Sequence, residues 1–133
     1  MPISYKIEPG EGIVYHEFAG EIGLSDFEGY WKTLLSDPSL PNPLLMFADL
    51  RCCSLTVHGE DVRRIVREVI EPRLRGRRWL SAAVVAAPAE YGVTKQFMFY
   101  SNECGVTEVF HDAEEATTWL TQTARMWARG DSD

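Results

Sequence analysis

The chain is short of cysteine and of positive charge, and it has no long apolar run. It holds three cysteines in 133 residues, two of them adjacent at Cys52 and Cys53. An odd set of this kind makes a poor disulfide framework, so a reducing cytoplasm is the expected setting. Thirteen Lys and Arg stand against twenty Asp and Glu, a net charge of −7. That balance argues against general nucleic-acid binding, where a basic face has to meet phosphates. The most apolar stretch, Leu80 to Pro88, is about half the ~20 residues that a membrane-crossing helix needs, so no transmembrane segment is expected. Met1 to Lys6 has no basic region leading into an apolar run, so no secretory signal is expected.

Chemistry-bearing motifs are missing too. No Cys-x-x-Cys or His-Glu-x-x-His spacing points to a metal. No Gly-x-Ser-x-Gly elbow supports a serine nucleophile. Gly10-Glu11-Gly12 lies inside a hairpin and opens no helix, so it is not a phosphate loop. The expectation is a protein that is not an enzyme and uses no metal or cofactor.

What is there is ordinary globular material, 45% hydrophobic and 25% charged. It fits a single domain over 1–133, with its core at about 3–128 and a frayed tail at 129–133. Ile3 to Ile7 and Ile13 to Phe18 read as strands joined by the turn at Pro9 to Gly12. Ser25 is expected to open a helix, with Glu28 three residues on completing a capping box. Phe27, Tyr30, Trp31, Leu34 and Leu35 then recur on one helical face, until three prolines between Asp37 and Pro43 end it. Leu44 to Leu50 reads as a strand covered on both faces. Val62, Ile65, Val66, Val69 and Ile70 mark a second helix, stopped near Pro72 and Gly76. Leu80 to Ala87 is a small-residue strand, Glu90 to Glu103 a third helix, and Val106 to Phe110 the last strand. A final helix is capped by Asp112. The order β-β-α-β-α-β-α-β-α predicts an α/β fold with a mixed, mainly parallel five-stranded sheet and right-handed crossovers.

This order, with several local sequences, resembles the STAS-like domains, the fold of the bacterial anti-sigma-factor antagonists, in the branch called SpoIIAA-like. The matching pieces are Gly12-Ile13-Val14, Gly20-Glu21, Leu24-Ser25-Asp26-Phe27, Ala48-Asp49-Leu50-Arg51, Tyr91-Gly92-Val93, and Val109-Phe110-His111-Asp112 running on to Trp119-Leu120. Together they cover roughly residues 3 to 121. The resemblance implies a domain that acts by binding proteins or, in some relatives, small or lipid-like ligands. One piece departs from it: phosphorylated members carry Asp-Ser-Ser or Asp-Ser-Thr and then Gly, where this chain has Asp49-Leu50-Arg51-Cys52-Cys53. Their kinase-controlled switch is not carried over. Ser54 is the nearest hydroxyl, and a phosphate there would gain from a helix start close by.

Four groups of residues are candidates for function. The carboxyl ends of the parallel strands bring Asp49, Arg51, His58, Glu90, Tyr91 and His111, with Cys52 and Cys53, toward one rim. Read functionally, the rim is a metal or hydrolytic site with His58 and His111 as ligands or bases; read blandly, His58 caps a helix and His111 sits at a strand end. Residues 63–78 hold seven arginines against two glutamates, a net of +5 that leaves −12 elsewhere. Those on the helix have i,i+4 glutamate partners, whereas Arg73, Arg75, Arg77 and Arg78 lie on a loop suited to an acidic partner. On the third helix Val93, Phe97, Tyr100 and Cys104 form the core stripe. Met98 and Phe99 fall outside it, Phe99 about 200° from Phe97 at ~100° per residue. Either the last helix covers this pair, or it is a protein interface, most simply a homodimer. The alternative function is a carrier for a small apolar or lipid-like ligand, with Tyr30, Trp31, Phe97 and Tyr100 lining a pocket under the first and third helices.

Overall fold

A computed structural model describes residues 2–8, 10–102 and 105–130. Strands β1 (Ile3–Glu8) and β2 (Ile13–Ile22) form the expected antiparallel hairpin. Its turn closes with Gly12 N–H donating to Glu8 O at 2.9 Å, and Gly12 sits at φ +71°, which a residue without Cβ adopts freely. Both β2 and the next strand run further than their apolar cores suggest. After an irregularity between Glu17 and Ala19, β2 continues beside β3 (Leu44–Leu55) as far as the pair Ile22–Leu55. Ala19 to Ile22 are therefore strand, beyond the Phe18 end that the sequence suggests, and so are Cys52, Cys53 and Ser54.

Helix α1 (Leu24–Leu35) starts before Ser25, and its cap is not the Ser25–Glu28 box. Gly23 is the N-cap, and its N–H donates to Asp26 Oδ2 at 3.1 Å. Glu28 instead pairs with two cations. Its carboxylate meets Arg64 at 2.7 Å and Lys32 at 3.0 Å, which holds its pKa down to about 2. The second helical run also departs from expectation. It passes from α2 (Gly59–Ile65) through a π-helical turn (Val66–Ile70) into α3 (Glu71–Leu74), so it ends between Pro72 and Gly76 as expected but takes Pro72 inside its last turn. Glu71 N–H reaches back five residues to Val66 O. The widened turn relieves the clash that a proline ring makes with the carbonyl four residues earlier.

Strand β4 (Trp79–Val84), helix α4 (Pro88–Ser101), β5 (Val106–Phe110) and α5 (Ala113–Ala128) complete the fold. Asp112 caps α5 as expected, its Oδ2 accepting from Glu115 N–H at 2.9 Å. Among the described residues the sheet has five strands in the order β1-β2-β3-β4-β5, antiparallel at the first pair and parallel at the rest.

That order places the helices. Each crossover advances one strand in the same direction, so the right-handed rule puts α1, the α2–α3 run and α4 on one face. Helix α5 has no strand to return to, and it covers the other face with Ala116 and Leu120 against Leu80, Ala82 and Val84. Strand alternation supplies both layers: along β4, Trp79 and Ala83 face the three-helix side while Leu80, Ala82 and Val84 face α5. A fully buried Leu or Val contributes about 1.5–3 kcal/mol of burial free energy, so both layers hold the sheet.

Candidate functional site

The rim assembles in part, and its groups are largely spent on one another. Asp49 accepts three bonds from Arg51: the backbone N–H and Nε at 3.0 Å each, and Nη2 at 2.9 Å. This holds the Asp49 carboxyl below its usual range. Across from it, His111 Nδ1 lies 3.1 Å from Val85 O, and its ring stacks on Tyr91 at 5.9 Å between centroids. Glu90 is not on the open rim. It is 4% exposed and turns inward, where Oε2 accepts the N–H of Leu55 at 3.0 Å. Beyond the end of β4 that N–H faces α4, and the carboxylate satisfies it. His58 occupies the N-cap position of α2 through its backbone, while its side chain makes no capping bond.

Of the hydroxyl and thiols nearby, Cys52 is free and exposed, and the other two are poorly placed for chemistry. Ser54 is exposed within β3, paired in register with Glu21 and five residues ahead of α2, so the helix start that would favour a phosphate is not beside it. Cys53 donates to Leu50 O at 3.4 Å, and burial is the main force pushing its thiol up to about 12, which makes it a poor nucleophile. Among the described residues no cluster of His, Cys, Asp and Glu is arranged to hold a metal ion.

Arg73 lies in α3 rather than on the loop, and three of the four candidate arginines already have contacts within the chain. Arg73 donates to Val69 O at 3.2 Å, Arg77 to Pro41 O at 2.8 Å, and the Arg78 guanidinium lies 4.0 Å from the ring centre of Trp127. Arg75 is exposed at the end of α3.

On α4, Phe97 is buried, and Val93 and Tyr100 pack partly buried against the same core, as the spacing requires. Cys104 lies outside the described residues. Met98 is half-buried, while Phe99 is 71% exposed with its ring edge-on to Tyr100 at 5.4 Å. The last helix does not cover this pair, because α5 lies on the opposite face of the sheet. Trp119 and Trp127 pack into the core of that other face instead.

Beneath α1 and α4 lies an apolar cavity of about 60 Å³, walled by Phe27 and Trp31 of α1, Val93 and Phe97 of α4, and the sheet below. A second, of about 30 Å³, borders it and shares Phe18, Trp31, Ala48 and Ser81. Trp31 and Phe97 line the larger space as expected, and they stack on each other at 5.6 Å. Tyr30 borders the smaller one, and Tyr100 borders neither, because it sits further along α4 against Phe99. The space exists because the sheet rows beneath are small: Ala48, Ser81, Ala83 and Thr107 leave a gap under large aromatic rings.

One wall residue is absent from the four candidate groups. His16, on β2 between Val14 and Phe18, is 3% exposed, and neither ring nitrogen has a hydrogen-bond partner. Burial alone pushes its pKa down to about 3, so the ring is neutral at pH 7. The sequence does carry a signal for it: Val14, His16 and Phe18 occupy the inward row of an alternating strand, where a histidine interrupts an apolar set.

No protein-family model matches the sequence, and no characterised protein matches it. A solved structure does: an uncharacterised DUF3478-family protein with a SpoIIAA-like fold from Shewanella loihica PV-4, at 16% identity and a TM-score of 0.55. The match covers 89% of this chain and 93% of that one. Over that coverage the fold of this chain, a five-stranded mixed sheet with its helices, is the SpoIIAA-like fold.

Proposed function

We propose that this chain is a non-enzymatic STAS-like binding module of the cytoplasm that works by protein contact and self-associates through the outer face of α4. The observation that carries the reading is Phe99, a large aromatic side chain left 71% exposed on a helix with no neighbour over it among the described residues. A large exposed aromatic side chain beside the half-buried Met98 favours an interface over a solvated surface. A second copy is the chosen occupant because the chain complements itself in charge, with +5 in residues 63–78 against −12 elsewhere. The rim argues for binding rather than turnover, since Asp49, Arg51, Glu90 and His111 are engaged with partners of their own. Sedimentation velocity over a wide concentration range tests the proposal. A concentration-dependent dimer in the wild type that Phe99→Asp abolishes is the expected result. A monomer at every concentration, with Phe99→Asp changing neither solubility nor any captured partner, would overturn it.

A second reading is favoured by the cavity: a carrier of a small apolar ligand held between α1, α4 and the sheet. Native mass spectrometry of freshly purified protein separates the two. A stoichiometric small-molecule adduct supports the carrier, and a bare dimer supports the contact module.

A further inference from the structure

We propose that the two bordering cavities form one site for a compact, uncharged, largely apolar molecule, and that His16 recognises the single hydrogen-bonding group of that ligand. This rests on the carrier reading and names the chemistry of what is carried.

Buried polar atoms are almost always hydrogen-bonded, because leaving one without a partner forfeits its hydration for nothing. Around this space several are not: both nitrogens of His16, Tyr30 Oη, Trp31 Nε1 and Thr107 Oγ1. They belong to three different elements, so they converge on the space from the sheet and from α1. The nearest substitute for His16 is the ring of Tyr30, nearly perpendicular at 5.5 Å, and an edge-to-face contact does not replace a hydrogen bond. Other buried polar groups under α4 are satisfied, Thr94 on the cavity wall among them. Glu90 takes the Leu55 N–H, and the hydroxyls of Thr94 and Ser101 donate to carbonyls four residues back. Among the described residues of the three-helix face, the unpartnered atoms are those around this space and Trp79 Nε1, whose ring packs edge-on to Phe97 of the cavity wall at 6.2 Å.

The walls define the rest of the ligand. They are aromatic and aliphatic apart from His16, Thr94, Ser81 and Thr107, and no charged side chain lines either space. An ion would enter with no counter-charge, so the ligand is neutral. A neutral imidazole offers one N–H donor and one acceptor nitrogen, which suits a carbonyl or hydroxyl group. Size sets the remaining limit. About 60 Å³ holds several waters but is well below the ~150 Å³ of an apolar cavity that takes benzene. A long acyl chain does not fit while the Trp31–Phe97 stack is closed, so the class is a short branched ketone or alcohol.

Two isosteric probes isolate the polar contact: acetone, and isobutene, in which a methylene replaces the carbonyl oxygen. Binding is followed by NMR as saturable shifts of the Trp31 indole N–H, the Ala83 methyl and the His16 ring protons. Both probes are expected to saturate in the wild type, with acetone moving the His16 ring. His16→Leu is expected to weaken acetone about tenfold while leaving isobutene within about twofold. Ala48→Val, which adds bulk to the shared wall, is expected to remove both. If both probes saturate but His16→Leu affects them equally, or acetone leaves the wild-type His16 ring unmoved, the recognition role fails and the carrier reading survives. If neither probe saturates, both fail. The His16 ring signals of the wild type decide the contact even if His16→Leu does not fold.

Discussion

The two faces of the sheet are packed by opposite means. Toward α5 the strands present bulky aliphatic rows, Ile13, Leu45, Leu80 and Val84, which Ala116 and Leu120 close over. Toward α1 and α4 the middle rows are small or polar, and large rings bridge over them: Phe27, Tyr30 and Trp31 from α1, and Phe97 from α4. One face is filled from the sheet upward. The other is roofed from the helices downward, and a roof of flat rings over small residues leaves space. The face with the space is also the face with the unsatisfied histidine. A core built only for stability would fill that gap with methyl groups; this one keeps a polar group in it, as binding sites do.

The contrast can be broken at its tightest point first. Gly105 lies where any Cβ would overlap the indole of Trp79, a fully buried anchor of the three-helix face. Gly105→Ala is expected to cost about 3 kcal/mol or more and to blunt the cooperative transition, read by urea denaturation. The filled face comes next. Leu120→Ala empties a fully buried site among bulky neighbours and is expected to cost about 2–4 kcal/mol with an unchanged m-value.

The smallest change at neutral pH sharpens the contrast most. With a folded pKa of about 3 and an ordinary value near 6.5, His16 takes up its proton more readily in the unfolded chain. The wild type therefore loses stability from this group as pH falls from about 6.5 toward 3, and has it in full above that window. The rings facing His16 are Tyr5 and Tyr30, neither charged at these pH values. His16→Leu is expected to stay within about 1 kcal/mol of wild type at pH 7 and to gain on it by a few kcal/mol near pH 4. Thermal melts of both proteins across that range measure the difference, and parallel pH curves would show that the ring is not the buried neutral group described here.

Much of the fold is legible in the sequence, and what escapes it does so for physical reasons. The α1 stripe, the five-residue apolar repeat of the second helix and the Asp112 cap follow from spacing alone, because local hydrogen bonds and one buried face decide them. The start of α1 is harder to read because Gly23 offers only backbone, and a Ser-x-x-Glu spacing looks stronger than the Gly23–Asp26 contact that forms. The full lengths of β2 and β3 are hidden because their second halves, Ala19–Ile22 and Arg51–Leu55, alternate poorly and are held by pairing with each other. Glu90 belongs on the rim by composition, since a glutamate is usually solvated; its burial depends on a backbone N–H some thirty-five residues earlier in the chain.

What the sequence determined by itself is the order of elements and which residues each one buries, since periods of 2 and 3.6 are local properties of the chain. Given the strand order that the structure shows, right-handed crossovers put α1, the α2–α3 run and α4 on one side. The side taken by α5 does not follow, because a helix after the last strand is bound by no crossover. Only the tertiary structure decided it, and with it two outcomes: Phe99 is left uncovered on α4, and the gap beneath α1 and α4 is roofed by rings. The cavity is of the same kind. Its size depends on which small residues lie under which large ones across the sheet and two helices, a matter of three-dimensional packing that no single stretch of sequence encodes.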